Sequence, residues 1–175
     1  QASIKAFDEL KRNFPRSESY LDDEILQRGI ILVRTRKYPL AIKTLNSLLQ
    51  DYPISKLRDD AHYWLGYVSS FSAELLRKKN KQQALQEYKT SIQHFKNSDP
   101  TALTQSQKQE RWYLIGRAWW FLDDISKTED AWQKYLKKSK SIKPEKALNL
   151  KYQLAAKFQQ IKKYEQAESW FARIV

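Results

Sequence analysis

Apolar side chains recur along the chain at the spacing of amphipathic helices. In "KYPLAIKTLNSLLQDYP", Ala41, Leu45, Leu48 and Tyr52 fall at i, i+4, i+7 and i+11, which places them on one helical face. The same pattern begins again at Ala167. The spacing therefore predicts an all-α chain in which each helix buries one stripe, and it disfavours a sandwich of short strands.

Three glycines, Gly29, Gly66 and Gly116, interrupt helical stretches. A glycine inside a helix costs about 1 kcal/mol relative to alanine, so each one needs a structural reason. An alanine follows each glycine after twelve, eighteen or fifteen residues: Ala41, Ala84 and Ala131. A fourth copy has Ala155 in the glycine position and Ala167 twelve residues later. The recurrence predicts helix pairs that approach closely at the glycine, with Ala84 completing the contact at Gly66. The longer spacings predict lengthened helices in the second and third copies.

Prolines separate these copies, because proline ends a helix or occupies its first turn. The predicted division is a second helix of a preceding repeat at 1–15, then repeats at 16–53, 54–100, 101–144 and 145–175. We expect this array to be a fragment of a longer chain, because neither end carries the polar cap of a solenoid.

The repeat resembles the tetratricopeptide repeat (TPR), a helix pair of about 34 residues. The segments "HYWLGYVS" and "WYLIGRAW" carry the large–Leu–Gly–x–x–large signature of its first helix, with Ile115 in place of leucine in the second segment. The large position of the second helix is taken by Leu45, Tyr88, Tyr135 and Phe171. The resemblance covers essentially the whole chain and implies a right-handed superhelical solenoid of antiparallel helix pairs.

A narrower resemblance concerns the turns. The segments "FPRS" and "YPIS" place Ser17 and Ser55 where they are expected to cap the following helix. The stretch "LLQDYPISKLRDDAHYWLGY" is similar to TPR proteins of the bacterial cell envelope, among them the outer-membrane lipoprotein of the barrel-assembly machine and the periplasmic coordinator of the Tol-Pal system. This resemblance implies a periplasmic, outer-membrane-associated chain, and a cytoplasmic location stays open.

Charge and composition narrow the partner classes. The net charge is +12, and residues 101–175 hold fifteen basic and eight acidic side chains. This balance favours an acidic protein surface, an anionic glycan, nucleic acid or a membrane surface. The chain has no cysteine, which excludes disulfides and thiolate chemistry. It also has no apolar run long enough to span a membrane.

Catalytic motifs are absent from the sequence, and we predict neither an enzyme nor a cofactor or metal site. The two histidines are His62, expected to pack in the repeat, and His94, expected to favour a helix terminus. Paired acids could serve acid–base chemistry. They are Asp22–Asp23, Asp59–Asp60 and Asp123–Asp124, and two of the pairs fall at the starts of first helices, where negative charge is favourable.

The concave face of the repeat is expected to carry the partner-binding residues. Its predicted members are Tyr63, Tyr67, Tyr113, Arg117, Trp120 and Tyr152, with three of the tyrosines stacked as a column. Tyrosine combines apolar area with a hydroxyl, which suits a binding groove. Packing of these rings between neighbouring repeats is the open alternative. Chaperone-binding members of the family use lysine and asparagine on this face to bind a C-terminal carboxylate. This chain has tyrosines in the matching column, so no such carboxylate clamp is predicted here.

The predicted function is a protein-protein interaction scaffold that docks a peptide or protein in a bacterial envelope assembly: outer-membrane assembly, division-linked wall synthesis or polysaccharide export. One alternative is a nucleic-acid-binding helical-repeat protein that uses the lysines of 77–81 and 134–146. Those lysines are expected on the outer helices, away from the tyrosines, which disfavours nucleic acid. A second alternative is a helical accessory domain of a larger envelope enzyme.

Overall fold

A computed structural model describes residues 20–137 and 142–174, and within those ranges the chain forms eight α-helices and no strand. The helices are α1 Leu21–Arg34, α2 Tyr38–Asp51, α3 Arg58–Leu76, α4 Lys81–Asn97, α5 Gln105–Phe121, α6 Ile125–Leu136, α7 Pro144–Gln160 and α8 Tyr164–Ala172. The prediction of an all-α chain is confirmed for these residues. The half-repeat predicted at 1–15 lies outside them.

Three of the four helix hairpins share one turn geometry. The turns between α1 and α2, α5 and α6, and α7 and α8 each contain a residue with positive φ: Arg36 at 58°, Asp123 at 60° and Lys162 at 61°. In each turn the next residue donates its N–H to a carbonyl five positions back, as Lys37 does to Leu32 at 2.9 Å. These bonds form the Schellman motif, in which glycine is the usual left-handed residue. The hairpins therefore turn tightly without glycine.

The chain divides into two compact units, residues 1–108 and 109–175, and α5 begins in the first and continues in the second. In the first unit, hydrogen bonds show that α3 and α4 run antiparallel. The Ser91 hydroxyl donates to the Gly66 carbonyl oxygen at 2.7 Å, and the Ser98 hydroxyl donates to the Asp59 carbonyl oxygen at 2.9 Å. Leu45 and Leu48 of α2 and Leu65 of α3 are fully buried in its core.

Each glycine of a first helix faces a large side chain of its own second helix. A Cβ built on Gly29 would lie 2.5 Å from Leu45, one on Gly66 would lie 2.8 Å from Phe95, and one on Gly116 would lie 2.1 Å from Trp132. The glycines thus provide space for a leucine, a phenylalanine and a tryptophan. The recurring alanines, Ala41, Ala84, Ala131, Ala155 and Ala167, are all buried.

The contact at Gly66 corrects the expectation that Ala84 would complete it. Phe95 fills that space, two helical turns beyond Tyr88, which the repeat pattern placed at the large position. The physical reason is length: α3 has 19 residues and α4 has 17, against 14 for each helix of the first hairpin. The longer helices bring a later residue opposite the glycine.

The turn serine also differs from its expected role. Ser55 does not cap α3, which begins at Arg58 with Leu57 as an N-cap that makes no side-chain hydrogen bond. The Ser55 hydroxyl instead accepts a hydrogen bond from the N–H of Leu57 at 3.0 Å and donates one to the carboxylate of Asp22 at 2.6 Å. Ser55 therefore joins the turn after α2 to the start of α1. Ser17 lies outside the described residues.

The second unit has its own aromatic core. Trp132 of α6, Leu154 of α7 and Trp170 of α8 are buried together. The Trp170 indole N–H donates to the Glu129 carboxylate at 2.7 Å, which satisfies the polar atom of a buried ring. Trp112, Tyr113 and Trp120 of α5 pack against this core as partly buried residues.

Candidate partner-binding surface

Tyr63 is a core residue, with 1% of its surface exposed. Its ring centroid lies 5.4 Å from that of Trp64, 6.0 Å from Phe95 and 6.4 Å from Tyr67. The prediction that Tyr63 lines an open face is corrected by this burial. Aromatic rings of α3 and α4 surround the Tyr63 ring, so Tyr63 is buried within its own repeat, whereas the open alternative was packing between neighbouring repeats.

Tyr67, one turn further along α3, is partly exposed. Its ring stacks on Phe71 with centroids 4.7 Å apart and an interplanar angle of 28°. The Trp64 ring centroid lies 5.5 Å from that of Tyr67. Tyr67 therefore belongs to an aromatic row along α3 and presents only part of its ring to a partner.

Tyr113 of α5 is partly exposed and lies under a lysine of α7. The Lys146 amino group sits 3.6 Å from the Tyr113 ring centroid, and Tyr135 packs at 5.4 Å on the same ring. Burial lowers the pKa of Lys146, the Glu110 carboxylate opposes that shift, and the Arg117 guanidinium adds to it. The Lys146 ammonium is therefore partly desolvated against the ring, an arrangement that strengthens a cation–π contact.

Arg117 and Trp120, also on α5, are both partly exposed. Trp120 stacks on Trp132 with centroids 5.5 Å apart and an interplanar angle of 22°. Because Trp132 is buried, this stacking holds the Trp120 ring in a fixed orientation. A rigid, partly exposed tryptophan next to an arginine has the composition of an interface hot spot.

Tyr152 of α7 is the most exposed residue of the predicted set, at 59%. Its ring meets Phe171 of α8 edge to face at 6.2 Å. In the second unit, the structure thus leaves Tyr113, Arg117, Trp120 and Tyr152 at least partly exposed on first helices, and each of the three rings contacts another aromatic ring. We call these four residues the aromatic set.

Two further aromatic rings of α5, those of Trp112 and Trp119, each have a lysine of the same unit over the ring. The Lys127 amino group lies 4.3 Å from the Trp119 ring centroid, and the Lys134 amino group lies 4.5 Å from that of Trp112. These lysines occupy ring faces on which a nucleic-acid base would stack.

The two histidines form a contact that sequence reasoning missed. Nδ1 of His62 on α3 and Nδ1 of His94 on α4 are 3.1 Å apart, and one donates a hydrogen bond to the other. Burial lowers the pKa of both rings, and proximity to His62 adds to the shift of His94, whose pKa is about 4. The residues are 32 positions apart, so only the register of α3 against α4 could have revealed the pair.

The paired acids are engaged in turns and helix starts. Asp124 caps α6 by accepting the N–H of Lys127 at 3.0 Å, and Asp123 forms an ion pair with Lys157 at 2.9 Å. Asp59 accepts the N–H of Asp99 at 2.6 Å. Burial raises the pKa of Asp60, which a hydrogen bond from Gln107 opposes. These carboxylates therefore have structural roles in capping helices and joining neighbouring segments.

No group of three or more histidine or acidic side chains in 20–137 and 142–174 is arranged to hold a metal ion. No helix in the same ranges has the length and apolar character needed to cross a membrane.

No protein-family model matches the chain, and no curated protein matches it. Among solved structures, the chain is similar to the MamA RS-1 ArsTM double mutant, with a TM-score of 0.57 and 20% sequence identity over 98% of this chain and 82% of that chain. MamA has a TPR fold. At this identity the likeness establishes the fold alone, so the predicted fold class, an all-α TPR-type solenoid of helix pairs, is confirmed.

Proposed function

We propose that this chain is a non-catalytic scaffold that docks a peptide or protein partner on its first helices. TPR-type folds present helix faces to other proteins and are generally non-catalytic. The aromatic set of the second unit carries the proposal, because it combines partly exposed aromatic rings with an arginine. These are the residue types that dominate protein interfaces.

Tyr152 allows a matched test, because Tyr164 of the same unit is exposed to a similar extent, 64% against 59%. The partner is first identified by cross-linking to the chain in an extract of its source and is then purified. Tyr152→Ala should weaken binding of the purified partner by about tenfold, the cost of losing one interface anchor. Tyr164→Ala should change it little. Equal effects of the two substitutions would place the binding surface elsewhere.

The envelope context is part of the proposal and rests on the resemblance carried by "LLQDYPISKLRDDAHYWLGY". We place the chain in the periplasm, associated with an outer-membrane assembly, wall synthesis at division or polysaccharide export. Fractionation of source cells with an antibody against the chain tests the location. Recovery in the cytoplasmic fraction would refute it.

Nucleic acid stays as the alternative because of the charge of +12. Phosphate-driven binding falls steeply with salt, so titration with single-stranded RNA across salt concentrations separates the two functions. The lysines over Trp112 and Trp119 disfavour nucleic acid, since they already occupy faces of those rings on which a base would stack.

A further inference from the structure

A cationic cavity of about 350 Å³ opens between α6, α7 and α8 of the second unit. Its basic residues are Lys134 and Lys137 from α6 and its end, Lys151 from α7, and Arg173 just after α8. Asp130 is the one carboxylate among the described residues that line it. We call this the cationic cavity; its lining carries an excess of positive charge even after Asp130 is paired.

The cations of this cavity are held in place by contacts within the unit. Lys134 pairs with Asp130 at 2.7 Å, and the Lys151 amino group donates to the carbonyl oxygen of Arg173. The Arg173 guanidinium lies 4.5 Å above the ring of Trp170, which is itself only 2% exposed. A ligand would therefore meet a partly ordered set of charges, which reduces the entropy cost of binding.

An apolar cavity of about 590 Å³ adjoins the cationic cavity and shares Leu136 and Lys151 with it. Its lining is mainly apolar and includes Ile142, Leu148 and Ile174, with Glu145 as its one carboxylate among the described residues. Leu148 is 47% exposed. The surface therefore offers an apolar recess directly beside the positive charges.

We infer that these joined cavities bind an acidic segment of a protein partner, with an apolar side chain in the recess and neighbouring carboxylates on Lys137, Lys151 and Arg173. A nucleic acid or a glycan has no aliphatic side chain to fill the recess. Trp170 is too deeply buried to stack on a base. None of the lining residues belongs to the aromatic set, so this surface goes beyond the scaffold proposal and can bind independently of it.

The test measures fluorescence anisotropy of a short fluorescein-labelled peptide that is rich in glutamate and carries one central leucine. A second peptide replaces the leucine with serine, and a labelled single-stranded RNA serves as the competing ligand class. All are titrated with the intact chain at about 0.15 M salt, where exposed charges more than a Debye length apart are largely screened. The leucine peptide should bind more tightly than the serine peptide and the RNA.

Two lysine pairs separate the site from overall charge. Lys137→Gln with Lys151→Gln should weaken binding of the leucine peptide by about tenfold. The matched pair Lys143→Gln with Lys163→Gln, at exposed residues of the same unit outside the lining, should weaken it by less than about twofold. Lys137→Gln alone, at an exposed residue that follows α6, should show part of the effect and keeps the test valid if the first pair unfolds.

The recess is tested by Leu148→Ser, which should weaken the leucine peptide by about fivefold and leave the serine peptide unchanged. Far-UV circular dichroism confirms folding of each variant. Equal losses in the two lysine pairs would overturn the inference, as would an equal effect of Leu148→Ser on both peptides. RNA binding that is tighter than peptide binding and is lost with the Lys137 and Lys151 substitutions would assign the site to nucleic acid and also overturn it.

Discussion

Gly116→Ala adds a single methyl group at the most crowded of the three glycine contacts. The new Cβ would lie 2.1 Å from Cδ1 and 2.3 Å from Nε1 of the Trp132 indole. Non-bonded carbon atoms prefer about 3.5 to 4.0 Å, so the ring must move by more than about 1 Å. Trp132 is 1% exposed, so the ring would have to move within the core. The movement would also disturb the indole hydrogen bond to the Tyr113 carbonyl oxygen, at 3.2 Å, and the stacking on Trp120.

The expected cost follows from three contributions. Overpacking of a filled core costs about 1–3 kcal/mol. Loss of the indole hydrogen bond adds about 1 kcal/mol. The greater helix propensity of alanine offsets about 1 kcal/mol. We therefore expect Gly116→Ala to lower the free energy of unfolding by about 1–3 kcal/mol, although the same substitution in an open helix would raise it.

Urea denaturation followed by far-UV circular dichroism measures this change as a shift of the midpoint. With a slope of about 2 kcal/mol per molar urea, the midpoint should fall by about 0.5–1.5 M. The double variant Gly116→Ala with Trp132→Ala is the control, because alanine has no side-chain atom beyond Cβ that could meet the new methyl group; leucine would not serve, since Leu45 itself lies within 2.5 Å of a Cβ built on Gly29. In the Trp132→Ala background, Gly116→Ala should be neutral or stabilising. A stabilising effect in the wild-type background, or the same loss in both backgrounds, would refute the proposed contact.

Three further predictions concern single side chains. Ser70→Ala should be neutral or stabilising by up to about 1 kcal/mol, because the buried Ser70 hydroxyl has no hydrogen-bond partner in the described part of the chain. Ser91→Ala should instead cost about 1–2 kcal/mol, because it removes the hydrogen bond to the Gly66 carbonyl oxygen. Urea midpoints compare the two variants, and a larger loss for Ser70→Ala would contradict this reasoning. Lys162→Gly should raise the free energy of unfolding by zero to about 1 kcal/mol. The relief of strain at the left-handed residue 162 outweighs the greater conformational entropy that glycine gives the unfolded chain. A clear loss of stability in thermal melts would show instead that the lysine side chain stabilises the turn. The pKa of His94 is lowered from 6.5 to about 4 in the folded chain, so between these pH values the unfolded chain binds one proton more and stability should fall as the pH drops from about 6.5 to about 4. After allowance for solvent screening of a partly exposed ring, the loss is about 1–2 kcal/mol. His94→Asn should remove this part of the pH dependence of the urea midpoint.

The sequence predicted the helices and the close approach at the glycines, because both leave local signals: apolar periodicity, and a helix-destabilising residue that recurs in register. It did not predict which side chain meets each glycine. At Gly66 that choice depends on helix length, because the longer α3 and α4 bring Phe95, 29 residues after the glycine, into contact with it, whereas Trp132 follows Gly116 by the same 16 residues that separate Leu45 from Gly29. The repeat pattern predicted Ala84 at the Gly66 contact and placed Tyr88 and Tyr135 at the large positions of their helices.

The candidate binding residues show the same division. Tyr63 and Tyr113 occupy equivalent positions of their repeats, yet Tyr63 is buried and Tyr113 is partly exposed. The difference arises from neighbours on α3 and α4 that enclose Tyr63, and no local pattern records those neighbours. The cationic cavity is equally hidden in sequence, since it combines residues of α6 and α7 with Arg173, which follows α8.

The glycine contacts also bear on how such chains can recombine. The first helices of three hairpins offer the same glycine slot, while the second helices fill it with leucine, phenylalanine or tryptophan. A chimera that joined α1 to α6 would bring the indole of Trp132 against a slot that is spaced for Leu45. A complete hairpin carries both halves of its contact and can be moved without this conflict. The hairpin, and not the single helix, is therefore the unit that can be duplicated or exchanged between chains.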